Sequence, residues 1–344
     1  MPTALCLTPD RRFFRQAICA AATILSQPDA DQFDVYVICE EQDVAPNFES
    51  LAPALRARIN LTIFDFSTLD RGVRPDGRFS RAVLRRLFLD RVLPQRYQRI
   101  LSVDSDMWIA RPGLGRLAQL DLGGMPIAAA YDMIFLLDFR GGFLARRFLE
   151  QRAALGLGPA TPYFNAGLMV IDRAQWSAKE FGARAIEALR RAPERYPYLE
   201  QSALNELIAG GFAPLSPRFN FMGDFFLLDL EAAIEPIVLH FVNAPKPWQF
   251  DEWRGEARFA EAYRDWFAAS PWPEYLGDYA GPAGARRRKP RMTSARRAFA
   301  GRLAAYLSRC AFADGWRAMD GRPETHARSD SRRSISTRLG REAR

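Results

Sequence analysis

The strongest constraint on the fold is a regular alternation of strand and helix patterns over the first hundred residues. Short apolar, β-branched runs predict strands at Ala4–Thr8, Val35–Cys39, Ile59–Phe64 and Arg99–Val103. The segments between them predict helices at Arg11–Gln27, Pro46–Arg58 and Phe79–Val92. This order is typical of an α/β fold in which helices cover both faces of a mostly parallel sheet.

The same patterns continue further along the chain as parts of one domain. Strands are predicted at Ile127–Tyr131, Gly167–Ile171 and Ile237–Phe241, and helices at Gln175–Arg191, Leu199–Ile208 and Glu256–Ala268. A Pro- and Gly-rich stretch, PWPEYLGDYAGPAGA, then precedes a basic run. We therefore expect a folded body over 1–270, a linker with a basic amphipathic segment over 271–320, and a disordered polar tail over 321–344.

Charge is distributed unevenly between the body and the tail. Residues 285–344 hold 17 Lys and Arg against 5 Asp and Glu, a net of +12, so residues 1–284 carry −4 of the total +8. Apolar residues in this basic region follow helical spacing: Phe299, Leu303, Tyr306, Leu307 and Cys310. A basic amphipathic helix indicates binding to an anionic membrane surface, and the alternative is a helix that packs on the body.

The N-terminus lacks the pattern of a signal peptide, and no run approaches the roughly 18 apolar residues of a membrane span. We therefore expect a cytoplasmic protein whose tail contacts the inner face of the membrane. An alternative is a nucleic-acid-binding protein with an Arg-rich arm. The acidic body argues against that alternative and against nucleic acid as a partner, because the positive charge is not spread over a folded face.

Two aspartates, Asp104 and Asp106, directly follow the fourth predicted strand. Ligands of open parallel sheets bind beyond the carboxyl ends of the strands. Acids at positions i and i+2 of an extended segment lie on the same side, and together they can hold Mg²⁺ or Mn²⁺. Two solvated acids in a loop would also fit this pattern, so the pair needs support from elsewhere in the chain.

That support comes from His240, one of only two histidines in the sequence. It ends the strand-like run IVLH, and an imidazole is a suitable third ligand for a Mn²⁺-type site. Lys246 follows between two prolines that stiffen its backbone, which suits a contact with a phosphate oxygen. A core histidine and an ordinary surface lysine are the alternatives.

Six motifs occur in an order that resembles glycosyltransferase family 8. They are Thr8-Pro9-Asp10 with Phe13, Arg86-Leu87, Asp104-Ser105-Asp106, Asn165-Ala166-Gly167, Glu200-Gln201, and His240-Phe241 with Lys246-Pro247-Trp248. The resemblance covers residues 3–250 and implies a Rossmann-like GT-A fold, with 1–270 as the catalytic domain. It also implies a retaining enzyme that moves a hexose, galactose or glucose, from a UDP-sugar to a glycan or lipid-linked saccharide.

The resemblance implies roles for several residues of these motifs and for Asp132. The nucleoside would be held by Thr8, Asp10 and Phe13. Mn²⁺ or Mg²⁺ would be bound by Asp104, Asp106 and His240, and the phosphates by Lys246. The donor sugar would be surrounded by Arg86, Asp132, Asn165 and Gln201, and Gly167 and Glu200 would also take part in binding the donor. Among these, Gln201, Asp132 and Arg86 would be the catalytic residues.

Two positions depart from the family pattern. Glu200 stands where the family usually has Asp, which keeps the charge and adds a methylene. Asn243 stands where the family has a glycine, and Asn tolerates left-handed backbone better than most residues.

The remaining rival is a phosphotransferase with a DxD motif. Such enzymes usually place the nucleophilic Asp in the first strand and Thr or Val two residues after the second Asp. Here the motif follows the fourth strand and Trp108 occupies that later position.

Overall fold

The predicted strands of the first hundred residues form the parallel half of a seven-stranded sheet in a computed structural model of the protein. The structure describes residues 2–73, 79–137, 142–228, 230–242, 246–249, 256–274, 305–306 and 309–310. The strands of this sheet are β1 (Thr3–Leu7), β2 (Asp34–Cys39), β3 (Ile59–Ile63), β4 (Arg99–Val103), β6 (Ile127–Tyr131), β7 (Phe164–Asp172) and β8 (Ala213–Leu215). Their order is β3-β2-β1-β4-β7-β6-β8.

Only β7 runs antiparallel to its neighbours among these strands, so the predicted mostly parallel α/β fold is confirmed. All five residues of β1 and of β6 are buried, as expected for strands covered on both faces. Buried apolar side chains of the sheet and of the flanking helices form one continuous core.

The helices agree with the sequence patterns in some places and not in others. They are α1 (Phe14–Leu25), α2 (Pro53–Arg56), α3 (Leu89–Val92), α4 (Met133–Leu136), α5 (Gly142–Ala154), α6 (Arg173–Ala178), α7 (Phe181–Arg191), α8 (Leu199–Ile208), α9 (Gly223–Leu227), α10 (Glu231–Ile234) and α11 (Ala257–Ala268). The prediction of a helix over Pro46–Arg58 was wrong for most of its length. Ala52, with ψ at 124°, is not helical because it precedes Pro53, so the helix begins only at that proline.

Two other predicted helices form differently. Residues Arg81–Phe88 wind as a 3₁₀-helix before α3, a winding that the apolar spacing alone did not distinguish from an α-helix. The helix expected over Gln175–Arg191 is two helices, α6 and α7, separated at Glu180, whose φ is +51°. The break lets α7 approach closely: a β-carbon on Gly182 would lie 2.3 Å from the carbonyl oxygen of Leu87.

A second, three-stranded sheet was not predicted, because two of its strands are too short to show a pattern. It contains β5 (Met107–Ile109), β9 (Phe221–Met222) and β10 (Val238–His240), in the order β5-β10-β9. β10 is antiparallel to β5, and His240 lies opposite Met107. The last residue of β10 is thereby brought beside the DxD motif.

Most of the predicted linker and tail, 271–320 and 321–344, lies outside the described residues. Trp272 is buried and donates its Nε1–H to the carbonyl of Pro46 at 2.7 Å. Tyr306 and Cys310 are also buried, and the Tyr306 ring stacks on Tyr131 with centroids 4.2 Å apart. Among the described residues, no helix has the length and apolar character needed to cross a bilayer.

Candidate active site

Asp104, Asp106 and His240 converge at the carboxyl end of β4. Asp104 follows β4, Asp106 precedes β5, and the backbone N–H of Phe241 donates to the carbonyl of Asp106 at 3.0 Å. The Nε2 atom of His240 lies 3.5 Å from Oδ2 of Asp104 and 3.3 Å from Oδ1 of Asp106. One ligand atom from each residue lies within 4.8 Å of the others. Two carboxylates and one imidazole are a donor set that can hold a divalent cation such as Mn²⁺ or Mg²⁺.

The glycine of the Asn165-Ala166-Gly167 motif makes room for this arrangement. A β-carbon on Gly167 would lie 2.3 Å from Cε1 and 2.9 Å from Nδ1 of His240. Gly167 also accepts the N–H of Asp104 at its carbonyl, 2.8 Å away. The predicted site residue Gly167 therefore lies directly against the imidazole and beside the first acid.

Two cationic side chains neutralise the paired aspartates. Arg86 forms an ion pair with Asp104, and Nζ of Lys246 lies 2.5 Å from Oδ2 of Asp106. Burial acts to raise the pKa of the Asp106 carboxyl, but its interactions with Lys246 and His240 prevail and hold that pKa below its ordinary value. Asp106 is therefore ionised at neutral pH and able to bind a cation.

Arg86 joins the DxD motif to the Glu200-Gln201 motif. Its guanidinium is buried, donates to the carbonyl of Ala166 at 2.6 Å and lies 3.5 Å from Oε1 of Glu200. Burial, assisted by Asp104 and opposed by Arg86, raises the pKa of Glu200 to about 7. The longer side chain at this departure from the family pattern thus still reaches the arginine.

Asp132, Asn165 and Gln201 form a second cluster at the ends of β6, β7 and α8. Asp132 caps α4, because its Oδ1 accepts the N–H of Ile134 at 2.7 Å. Its Oδ2 accepts from Asn165 Nδ2 at 2.8 Å and from Gln201 Nε2 at 3.3 Å. Burial raises the pKa of Asp132 even though these bonds favour the ionised form. The side-chain amides of such a cluster can both donate hydrogen bonds to sugar hydroxyls and accept them, and the carboxylate can accept them.

The residues predicted to hold the nucleoside lie at the end of β1 and the start of α1. Thr8 is half-buried directly after β1. Oδ1 of Asp10 accepts the backbone N–H groups of Arg12 and Phe13, each at 3.0 Å. The ring of Phe13 meets Trp248 edge to face, with centroids 5.9 Å apart. The N-terminal motif and the C-terminal Lys246-Pro247-Trp248 motif are thus in contact, whereas Asn243 lies outside the described residues.

Three residues that support the site were missed by the sequence reasoning: Arg85, Asp43 and Asn220. Arg85 is buried, donates to the carbonyl of Pro9 at 2.5 Å and pairs with Asp43 at 2.7 Å. Asp43 also accepts the N–H of Arg11 at 2.9 Å, so the pair supports the loop after β1. Adjacent residues of a regular α-helix point in different directions, so the sequence did not indicate that both Arg85 and Arg86 are buried.

Comparisons with known proteins bear on the whole site. The sequence profile described as glycosyl transferase family 8 matches residues 4–252. The chain is 32% identical over 133 residues to lipopolysaccharide glucosyltransferase WaaO of Escherichia coli K12, covering 36% of this chain and 38% of that protein. It is 24% identical over 253 residues to lipopolysaccharide 1,3-galactosyltransferase of Salmonella typhimurium, covering 70% and 71%.

Solved structures agree with the fold. The galactosyltransferase LgtC, crystallised with donor and acceptor sugar analogs, superposes with a TM-score of 0.61 at 19% identity, covering 76% of this chain and 95% of that one. The profile match extends over more than half of the chain and includes all six motifs, which confirms the resemblance drawn from them. The chain therefore belongs to glycosyl transferase family 8.

Proposed function

We propose that this protein is a metal-dependent, retaining glycosyltransferase that moves a hexose from a UDP-sugar to a glycan or lipid-linked saccharide. Galactose and glucose are the favoured sugars. The observation that carries the proposal is the convergence of Asp104, Asp106 and His240 on one point, beside the buried cluster of Asp132, Asn165 and Gln201. Family membership supports the same reaction class.

The donor diphosphate would bind at the acidic pair together with Mn²⁺. When bound, the ion neutralises charge that develops on the departing diphosphate. Lys246 lies beside Asp106 and would turn its ammonium to a phosphate oxygen, adding a fixed positive charge where negative charge develops. Thr8, Asp10 and Phe13 would hold the uridine at the end of β1.

The donor sugar would lie over the cluster of Asp132, Asn165 and Gln201. The Gln201 carboxamide contacts Asp132 and also accepts the backbone N–H of Ala166 at 2.9 Å, so its orientation is set. Asn165 is oriented in the same way by Asp132 at one end. Preorganised amides and a carboxylate can discriminate hydroxyl positions, because a wrong hydroxyl would leave a buried polar group unpaired.

Retention is proposed to occur by attack on the same face from which the diphosphate leaves. The Gln201 amide is a poor nucleophile, and both carboxylate oxygens of Asp132 accept hydrogen bonds from protein groups. A donor phosphate oxygen would therefore take the proton of the attacking hydroxyl. Trapping a covalent glycosyl group on Asp132 or Glu200 would contradict this mechanism.

The proposal is tested with a panel of nucleotide-sugars in a donor-hydrolysis assay with and without Mn²⁺. We expect hydrolysis of a UDP-hexose that chelator abolishes and that is lost in Asp106→Ala. The control is Asp31→Ala, because Asp31 is exposed and, among the residues that the structure describes, its carboxylate pairs with Arg58 alone. Hydrolysis that persists in excess chelator, or equal activity in both variants, would refute the assignment.

The basic tail is proposed to work at an anionic membrane on the cytoplasmic side. Because Tyr306 and Cys310 are buried, the contact would come from the arginines of the tail rather than from its apolar stripe. Replacing Arg286, Arg287 and Arg288 by Gln should release the full chain from vesicles containing anionic lipid and leave donor hydrolysis intact. Unchanged vesicle binding would remove this part of the proposal.

A further inference from the structure

Asn220 lies between the candidate metal ligand His240 and the cluster of Asp132, Asn165 and Gln201, and no sequence motif pointed to it. The residue immediately precedes β9 and its side chain is fully buried. Its Oδ1 lies 2.8 Å from Nδ1 of His240, and its Nδ2 donates to Oδ1 of Asn165 at 2.8 Å. Parallel pairing of β9 with β10 sets Met222 opposite His240 and so holds Asn220 beside the ring.

The orientation of these amides follows from a backbone group that can only donate. The oxygen and nitrogen of a carboxamide have the same shape, so their partners decide which is which. The N–H of Gly167 points at one end of the Asn165 amide, 3.0 Å away, so that end is the oxygen. The other end faces Oδ2 of Asp132 at 2.8 Å, which agrees with an NH₂ group. Asn220 must therefore present its own NH₂ to Asn165.

The second end of the Asn220 amide is then an oxygen that faces Nδ1 of His240. An oxygen acceptor requires a hydrogen on Nδ1, so the neutral imidazole carries its lone pair on Nε2. That atom is the one that faces Asp104 and Asp106, at 3.5 and 3.3 Å. The opposite tautomer would direct an N–H at the point where a cation must bind.

We infer that Asn220 is a positioning residue that fixes His240 in the Nδ1–H tautomer and so keeps Nε2 available to a divalent cation. Partners of this kind, which hold a metal-binding histidine through its other nitrogen, commonly change metal affinity by about 10- to 100-fold when removed. The inference rests on the proposed function, because it concerns the same metal site. It also joins that site to Asp132 through one chain of hydrogen bonds.

The first test is the tautomer itself, read from long-range ¹H–¹⁵N correlation spectra of ¹⁵N-histidine-labelled protein. The chain has two histidines, so His326→Gln assigns the His240 signals. At a pH where the ring is neutral, we expect Nδ1 to be the protonated nitrogen. A hydrogen on Nε2 in the wild-type protein would overturn the inference, and this measurement needs no variant at Asn220.

The second test compares Mn²⁺ affinity, measured by electron paramagnetic resonance of the free ion, in two variants. Asn220→Leu removes the acceptor and should weaken binding about 10- to 100-fold and allow both tautomers. Asn220→Asp keeps an oxygen for Nδ1–H, so it should retain the tautomer and bind Mn²⁺ more tightly than the Leu variant. Equal affinity of Asn220→Leu and wild type would overturn the inference.

The matched control is Asn205→Leu. Asn205 is about equally buried and bonds the N–H and the carbonyl of Phe164 and the backbone carbonyl of Gln201, but within the described part of the chain its side chain makes no hydrogen bond to His240 or Asn220. Asn205→Leu should lower stability and leave the tautomer and the Mn²⁺ affinity unchanged. A wild-type protein that binds no Mn²⁺ would refute the proposed function instead, while the tautomer would still decide the role of Asn220.

Discussion

Replacing Gly167 by alanine tests the close approach on which the metal site depends. The new β-carbon would lie 2.3 Å from Cε1 of His240, whereas ordinary contact between such atoms starts near 3.4 Å. The ring must therefore move by about 1 Å. It cannot move without stretching the 2.8 Å bond from Nδ1 to Asn220, because the strand pairing of β10 holds its backbone. A shift of about 1 Å in such a site commonly costs on the order of 100-fold in rate.

The assay for Gly167→Ala is Mn²⁺ titration together with Mn²⁺-dependent donor hydrolysis. We expect an affinity loss of about 10- to 100-fold, equivalent to about 1.4–2.8 kcal/mol of binding free energy. Gly158→Ala is the control, because a β-carbon there would meet, of the atoms in the described ranges, just Thr161 Oγ1, at an ordinary contact distance of 3.6 Å. Affinity and activity of Gly167→Ala within twofold of the control would refute the reasoning that His240 is held against this glycine.

Three further predictions concern stability. The folded-state pKa of Glu200, about 7, lies above its ordinary 4.5, so the protonated carboxyl stabilises the fold below pH 4.5 and this contribution is lost as pH rises through 7. Urea unfolding at several pH values should show this decline in the free energy of unfolding of wild type and not of Glu200→Gln. The same pH dependence of that free energy in both proteins would contradict the prediction. Arg86→Met leaves Asp104 and Glu200 without their cation and should lower the free energy of unfolding by about 3–5 kcal/mol at neutral pH, against less than about 1 kcal/mol for the exposed Arg191→Met. Equal losses in the two variants would refute the buried ion-pair network. Tyr306→Phe removes a hydroxyl that accepts the N–H of Tyr131 at 3.0 Å, so thermal unfolding should show a free energy of unfolding lower by about 1–3 kcal/mol. An unchanged free energy of unfolding would mean that the segment around Tyr306 does not pack on the body.

The fold could be predicted from the sequence where burial imposes a pattern. β6, with the sequence IAAAY, is a continuous run of buried residues. The DxD motif at the end of β4 marked the sheet edge at which folds of this kind bind their ligands. Helix prediction failed where a single backbone constraint overrides periodicity. Helix α2 begins only at Pro53, later in the chain than the pattern predicted, and the left-handed turn at Glu180 separates α6 from α7.

The candidate site was predictable to a different degree for each residue. Asp104 and Asp106 are close in the chain, so local geometry alone suggested a pair of ligands. His240 was indicated by its place at the end of a strand-like run and then by the family motifs, whereas Asn165 and Gln201 were indicated by the order of the family motifs. Asn220 carried no signal, because its role comes from contacts with His240 and Asn165, neither of them near it in sequence.

The sequence by itself determined the alternation of strands and helices, the position of the paired acids, and the family to which the chain belongs. Only the tertiary structure decided that His240 meets those acids, since this depends on β5, β9 and β10, whose pairing joins segments over a hundred residues apart. The hydrogen-bonded chain from Gly167 through Asn220 was decided in the same way. Donor and acceptor directions become definite only when the partner atoms are in contact.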